Sequence, residues 1–145
     1  MNVGGLCSRP AVSAAASATL SEVAELMRNR SVGAVVITKA PRDRPEAVGI
    51  ITDRDIVQAQ LDHVADLSRL SAEQVMTREP LELNEQDSVE EAIHRMRARG
   101  VRRAPVIGPS GALVGLVSTD DLLAHVASEL VGLARVLEKR PGAPV

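Results

Sequence analysis

The chain repeats itself. Gly49-Ile50-Ile51-Thr52-Asp53-Arg54-Asp55-Ile56-Val57 returns as Gly115-Leu116-Val117-Ser118-Thr119-Asp120-Asp121-Leu122-Leu123. Both stretches read glycine, two apolar residues, a hydroxyl, two polar residues, an aspartate and two apolar residues. The offset is 66 positions here (49 to 115) and 69 upstream (19 to 88), so the first copy holds three extra residues between its strands. Two copies of one unit fold most simply by packing against each other about a pseudo-twofold axis, with like sites facing across it.

Each copy carries the same local signals. Thr19-x-x-Glu22 and Ser88-x-x-Glu91 are capping boxes that start helices. Behind them, Leu20, Val23, Ala24 and Met27 correspond to Val89, Ala92, Ile93 and Met96, the spacing of one buried helical face. Arg28, Arg30, Arg97 and Arg99 stand near the helix ends, where cations suit the dipole. The β-branched runs at 32–37 and 101–106 predict buried strands. A proline-containing loop at 39–47 and a tight turn at 108–111 lead into second strands at 48–52 and 113–118. Each of these ends at a hydroxyl residue that starts another helix. The second copy's last helix is expected to run from Asp120 to about Lys139, with a loose tail at 141–144. The predicted fold class is α+β: two β-α-β-β-α repeats packed with pseudo-twofold symmetry. The division is residues 1–62, a linker at 63–74 capped by Ser71-x-x-Gln74, residues 75–128, and a C-terminal helix and tail at 129–145.

Composition narrows the function. Apolar residues make up 45% of the 145, yet Phe, Tyr and Trp are absent. A planar ligand must therefore lie between aliphatic side chains and backbone, and single-stranded nucleic acid loses its stacking platforms. The net charge of −2 gives no global attraction to nucleic acid or anionic membrane. No run reaches the roughly 20 apolar residues of a membrane span, and no signal peptide is visible. A single cysteine, Cys7, forbids an internal disulfide and fits a reducing cytoplasm. Cys7 aligns with Met76, which predicts an apolar contact for it.

With its two Gly-apolar-apolar-[Thr/Ser]-x-x-Asp motifs in register, the Val101-Arg102-Arg103-Ala104-Pro105-Val106 strand and Val75-Met76-Thr77, the chain resembles a tandem pair of CBS domains. The resemblance spans nearly the whole chain. It implies a stand-alone, non-catalytic regulatory pair that binds an adenosine-containing ligand (AMP, ADP, ATP or S-adenosylmethionine) between the copies, in the manner of an energy sensor. It also implies a homodimer and a regulated protein partner.

On that resemblance Asp55 and Asp121 are the expected ribose contacts, with Thr52 and Ser118 beside phosphate at helix starts. The same Thr/Ser-x-x-Asp spacing is also an ordinary helix cap, and the two roles are compatible. Arg102 is the expected phosphate ligand, with its planar fork of donors; alternation along a strand would turn Arg103 away. The first copy has Gly33 and Ala34 there, so Arg54 is the candidate substitute, against Asp120 in the second copy. The sites are thus chemically unequal, which leaves open a structural dimerisation module with vestigial sites. Leu130, Leu133, Ala134 and Leu137 of the last helix offer an interface for that alternative. His63, His94 and His125 recur every 31 residues but lack short ligand spacing, so no metal site is expected. No nucleophile-base arrangement, P-loop or carboxylate pair points to catalysis.

Overall fold

The computed structural model describes residues 1–39, 45–63 and 66–138. The expected loop around Pro41 and the tail at 141–144 lie outside the described residues. In the first half, α1 (Val3–Leu6), β1 (Ser13–Ala15), α2 (Leu20–Arg30), β2 (Ala34–Lys39), β3 (Glu46–Thr52) and α3 (Asp53–His63) follow in order. A 3-10 turn (Leu67–Arg69) leads to α4 (Ala72–Val75), β4 (Thr77–Arg78), β5 (Leu83–Asn84), α5 (Val89–Arg99), β6 (Arg103–Ile107), β7 (Leu113–Ser118) and α6 (Thr119–Leu137). Each half thus holds the expected β-α-β-β-α unit, and the architecture is α+β with two small sheets.

The capping signals work as read, but Ile93, expected on the buried face of α5, is 42% exposed, and Ala92 and Met96 alone are fully buried on that face. Thr19 Oγ1 accepts from the Glu22 N–H at 3.1 Å, and Ser88 Oγ from the Glu91 N–H at 3.1 Å, so α2 and α5 begin alike. Both also end alike, at a left-handed residue: Ser31 (φ 53°) and Gly100 (φ 66°). The next N–H in each case returns to the helix: Val32 to the Met27 carbonyl and Val101 to the Met96 carbonyl, both at 3.1 Å. Parallel β1–β2 and antiparallel β2–β3 pairing has its twin in β5–β6 and β6–β7.

The two halves also exchange their opening segments, which the sequence reading treated as a turn and a short extended piece of each copy's own. β4 belongs to the second half by sequence, yet it pairs with β3 of the first. Reciprocally, Ser8 forms a two-bond bridge with Leu116 of β7, at 2.9 and 3.1 Å. The short helices follow the same exchange. Ala72 and Met76 complete the first core of Leu20, Val23, Met27, Val35, Ile37, Ile51 and Ala59. Val3, with Leu6 and Cys7 against it, completes the second core of Leu81, Leu83, Ala92, Met96, Ala104, Val106, Val117 and Leu122. The apolar contact expected of Cys7 is therefore present, across the exchange. Burial of side chains such as Val3 and Met76 is worth roughly 1.5–3 kcal/mol each and ties the halves into one unit. Ion pairs Arg9–Glu85 (2.7 Å) and Lys39–Glu73 (2.6 Å) also cross the exchange but are solvated, so they add at most about 1 kcal/mol each.

Glu82, between the buried Leu81 and Leu83, is half-buried. Burial first, and the Glu46 carboxylate second, push its carboxyl above the ordinary value. A raised acid favours the native state below the unfolded value, and this is lost as pH rises through the folded one. Glu82→Gln is therefore expected to melt higher than the parent at neutral pH. The advantage should vanish below about pH 4, where both glutamates are protonated; a parent that melts equally high at neutral pH would contradict this.

Candidate functional site

Each duplicated motif places its hydroxyl and its aspartate in a reciprocal cap. The Thr52 N–H donates to Asp55 Oδ2 at 2.8 Å while Asp55 N–H donates to Thr52 Oγ1 at 3.3 Å. The Ser118 N–H donates to Asp121 Oδ2 at 2.9 Å while Asp121 N–H donates to Ser118 Oγ at 3.2 Å. The capping role is thus real in both copies. It occupies one carboxylate oxygen and leaves Oδ1 of each aspartate without a hydrogen bond among the described residues.

Around Asp121 the halves enclose a cleft of about 190 Å³. The second half supplies Asp121, Ser118, Leu116 and Arg103; the first supplies residues 10–12 and 32–34, with Ser8 at the edge. The exchange builds this wall, since the Ser8–Leu116 bridge brings Pro10, Ala11 and Val12 against β7. A second cavity of about 400 Å³, lined by Arg102, Arg103, Ser118, Thr119 and Asp120, shares Arg103 and Ser118 with it.

Which arginine enters follows from register. Arg103 pairs directly with Ser118 across β6–β7, and directly opposed residues of an antiparallel pair project from the same face. Arg103 is half-buried on the cleft wall, its Nη2 3.6 Å from where a Cβ on Gly33 would stand. Arg102 precedes the ladder, is exposed, and lines only the outer cavity and an apolar groove beside α5 and α6. Alternation holds, but its phase is the reverse of the sequence expectation, which turned Arg103 away. The register set by the β6–β7 turn is the signal that places Arg103 on the cleft wall.

The first copy differs. Opposite Thr52 the β2 residue is Ala34, buried, where the second copy has Arg103 opposite Ser118. Arg54 is exposed, its N–H donating to Asp53 Oδ1 at 2.8 Å, and it is absent from the lining of the cleft beside Asp121. Gly33 matters at this spot: the Asp53 carboxylate lies 3.5 Å from its notional Cβ, on the same side as Arg103. A side chain at position 33 would fill the room between them. Among the described residues no cluster of three or more His, Cys, Asp or Glu could hold a metal ion, and no described helix is long and apolar enough to cross a membrane.

The CBS domain model matches residues 3–62 and 72–128. An uncharacterized protein of Methanopyrus kandleri, MK0525, is 30% identical over 123 residues, covering 85% of this chain and 61% of its own length. The chain thus spans about three-fifths of that relative. The crystal structure of the CBS domain pair of protein MJ0100 in complex with 5'-methylthioadenosine and S-adenosyl-L-methionine superposes with a TM-score of 0.77 at 22% identity, over 89% of this chain and 98% of that one. The CBS domain protein PAE2072 from Pyrobaculum aerophilum, complexed with AMP, gives 0.75 at 28% identity, over 88% and 99%.

Proposed function

The chain belongs to the CBS domain family, and from that premise we propose that it is a non-catalytic regulatory module. It binds an adenosine-containing ligand (AMP, ADP, ATP or S-adenosylmethionine) in the cleft between its repeats and signals by a change in their relative angle. The observation that carries the proposal is the convergence of Asp121, Ser118 and Arg103 from one repeat on Val12, Gly33 and Ala34 from the other. In this reading Asp121 Oδ1 accepts from ribose hydroxyls while Oδ2 keeps the cap. Arg103 and the first N–H groups of α6 receive an anionic group. The purine lies between Pro10, Val12 and Leu116, since the chain has no Phe, Tyr or Trp to stack on it. Thr52 and Asp55, with Arg54, form the second, weaker site, while Arg102 stands at the periphery of the first, in the outer cavity that shares Arg103 and Ser118 with the cleft.

Because both repeats line one cleft, a ligand bridging them favours one relative arrangement over others. The response can be only as large as that preference. A homodimer acting on a protein partner in the cytoplasm completes the reading. Ala34, standing where the second repeat has Arg103, favours the alternative for the first site alone: a vestigial position retained for structure.

The missing aromatics make the test simple. The purified protein should absorb almost nothing in the near ultraviolet, so a co-purified adenine compound would dominate the spectrum. Melting with AMP, ATP or S-adenosylmethionine should then raise Tm. At a hundredfold excess over Kd the gain is about 2.7 kcal/mol, or roughly 5–10 °C at this size. No co-purified adenine and no shift with any of the three at millimolar concentration would leave the structural dimerisation module in its place.

A further inference from the structure

The two repeats differ in the groove beside α2 and its counterpart α5. In the second repeat a cavity of about 450 Å³ opens between α5 and the segment that leads into β5. Arg95 and Arg99 line it from α5, and Glu82, Asn84 and Asp87 line it from the other side. At the 69 offset the first repeat has Leu26 and Arg30, with Ser13, Ala15 and Ala18. There Ala18 and Leu26 pack on the first core together with Leu67 and Leu70 of the connecting turn, which lies against α2. One place in the fold is thus packed with aliphatic side chains in one repeat and left open and charged in the other, so the fold itself does not require the charged set.

These groups hold one another in place and keep capacity to spare. Arg95 and Arg99 are four residues apart and share one face of α5. Arg95, half-buried, donates from Nη1 to Asp87 Oδ2 at 3.1 Å and from Nη2 to the Glu82 carbonyl at 3.0 Å. Arg99 Nη2 donates to the Glu79 carbonyl at 3.0 Å. A guanidinium has five N–H donors, so both arginines keep several for a ligand. Asp87 Oδ2 also accepts from the Asn84 N–H at 2.9 Å, which leaves Oδ1 without a hydrogen bond among the described residues. The Glu82 carboxyl and Asn84 Nδ2 make none there either. Burial makes the Glu82 charge costly, and a cation placed beside it would offset that cost.

Two cations and two carboxylates facing one cavity exclude the simplest ligands. A phosphate would meet Glu82 and Asp87, and a plain amine would meet Arg95 and Arg99. A molecule that carries both charges on one carbon satisfies both pairs. We propose that this cavity binds a free α-amino acid with an aliphatic side chain. Its carboxylate is received by Arg95, Arg99 and Asn84 Nδ2, and its ammonium by Asp87 Oδ1 and Glu82. The side chain lies against Pro80 and Ile107, which also line the cavity. The cavity shares no lining residue with the cleft beside Asp121 or with the outer cavity, so the inference rests on nothing in the adenosine reading.

Amide chemical shifts of the isotope-labelled full chain, titrated with L-leucine, test this. Saturable changes are expected at residues 82–87 and 95–99, with Kd at or below about 1 mM. N-acetyl-L-leucine, which lacks the ammonium, and L-leucinamide, which lacks the carboxylate, should each bind about tenfold more weakly or worse. Arg99→Ala should weaken L-leucine by a similar factor, while Arg30→Ala, at the matching position of the first repeat, should leave it unchanged. Both arginines are exposed, and circular dichroism checks the fold of each variant. No saturable change with L-leucine overturns the proposal. So does N-acetyl-L-leucine, L-leucinamide or inorganic phosphate binding as tightly, since the zwitterion would then not be what is recognised. Changes confined to the cleft beside Asp121, or equal losses in the two arginine variants, would place the amino acid elsewhere and overturn it too.

Discussion

Asp121→Ala should abolish most of the ligand-induced rise in Tm, while Asp55→Ala should keep it. The two aspartates make the same cap, with Oδ2 accepting from the Ser118 N–H at 2.9 Å and from the Thr52 N–H at 2.8 Å. Loss of either cap costs about 1 kcal/mol of stability, so the two variants control for each other without ligand. They differ in what surrounds them: Asp121 lies on a cleft with Arg103 across the ladder, whereas Ala34 occupies that place beside Thr52. A hydrogen bond to a charged acceptor contributes roughly 1.5–3 kcal/mol, so removing Asp121 should weaken binding about 10- to 150-fold. Titration calorimetry with AMP measures this directly. Arg103→Ala should weaken AMP while leaving adenosine little changed, and Arg102→Ala should do less to either. Equal losses at Asp55 and Asp121, or the reverse order, would sink the unequal-site reading; equal losses for AMP and adenosine at Arg103 would remove its anionic contact.

The sequence made the repeat, its capping boxes and its hairpins legible because each is written within a few consecutive residues. Thr19 and Ser88 cap where the spacing says they should, and the Thr52–Asp55 and Ser118–Asp121 pairs stand at helix starts. What was not legible depends on contacts distant in sequence. Helix α1 is Val3-Gly4-Gly5-Leu6, whose glycines carry no helical signal. It forms because Val3 enters the second core and the Gly4 N–H donates to the Glu85 carbonyl at 2.9 Å. A side chain at Gly4 would stand 2.9 Å from that same oxygen, so the residue that hides the helix from view is the one its packing requires. The phase of Arg102 and Arg103 was hidden for a related reason. Alternation along β6 says only that the two differ, and the pairing of Arg103 with Ser118 decides which one faces the cleft.

The exchange of opening segments carries the second large effect, since it predicts opposite signs for one substitution at different glycines. Gly49→Ala and Gly115→Ala should each destabilise the protein by about 1–3 kcal/mol, lowering Tm by roughly 3–10 °C at this size. At Gly49 a new Cβ overlaps the Met76 side chain and stands 2.9 Å from its Cβ, which cannot swing aside as a terminal methyl can. At Gly115 it falls 2.7 Å from both Cys7 Sγ and the Ser8 carbonyl oxygen. Cys7 can rotate, but the Ser8 carbonyl is held by the Leu116 N–H at 3.1 Å, so the whole segment must retreat from β7. In contrast, Gly132 lies in the exposed part of α6 with open space around its notional Cβ. Gly132→Ala should therefore stabilise, by about 0.5–1 kcal/mol, through helix propensity alone. Gly49→Ala combined with Met76→Ala should cost less than the sum of the two, because the smaller side chain at 76 removes most of the overlap. Thermal melts of the three glycine variants, of Met76→Ala and of the double variant measure all of this. Additive losses at 49 and 76, or a Gly115→Ala protein as stable as the parent, would mean that the segments before β1 and β5 do not cross between the halves.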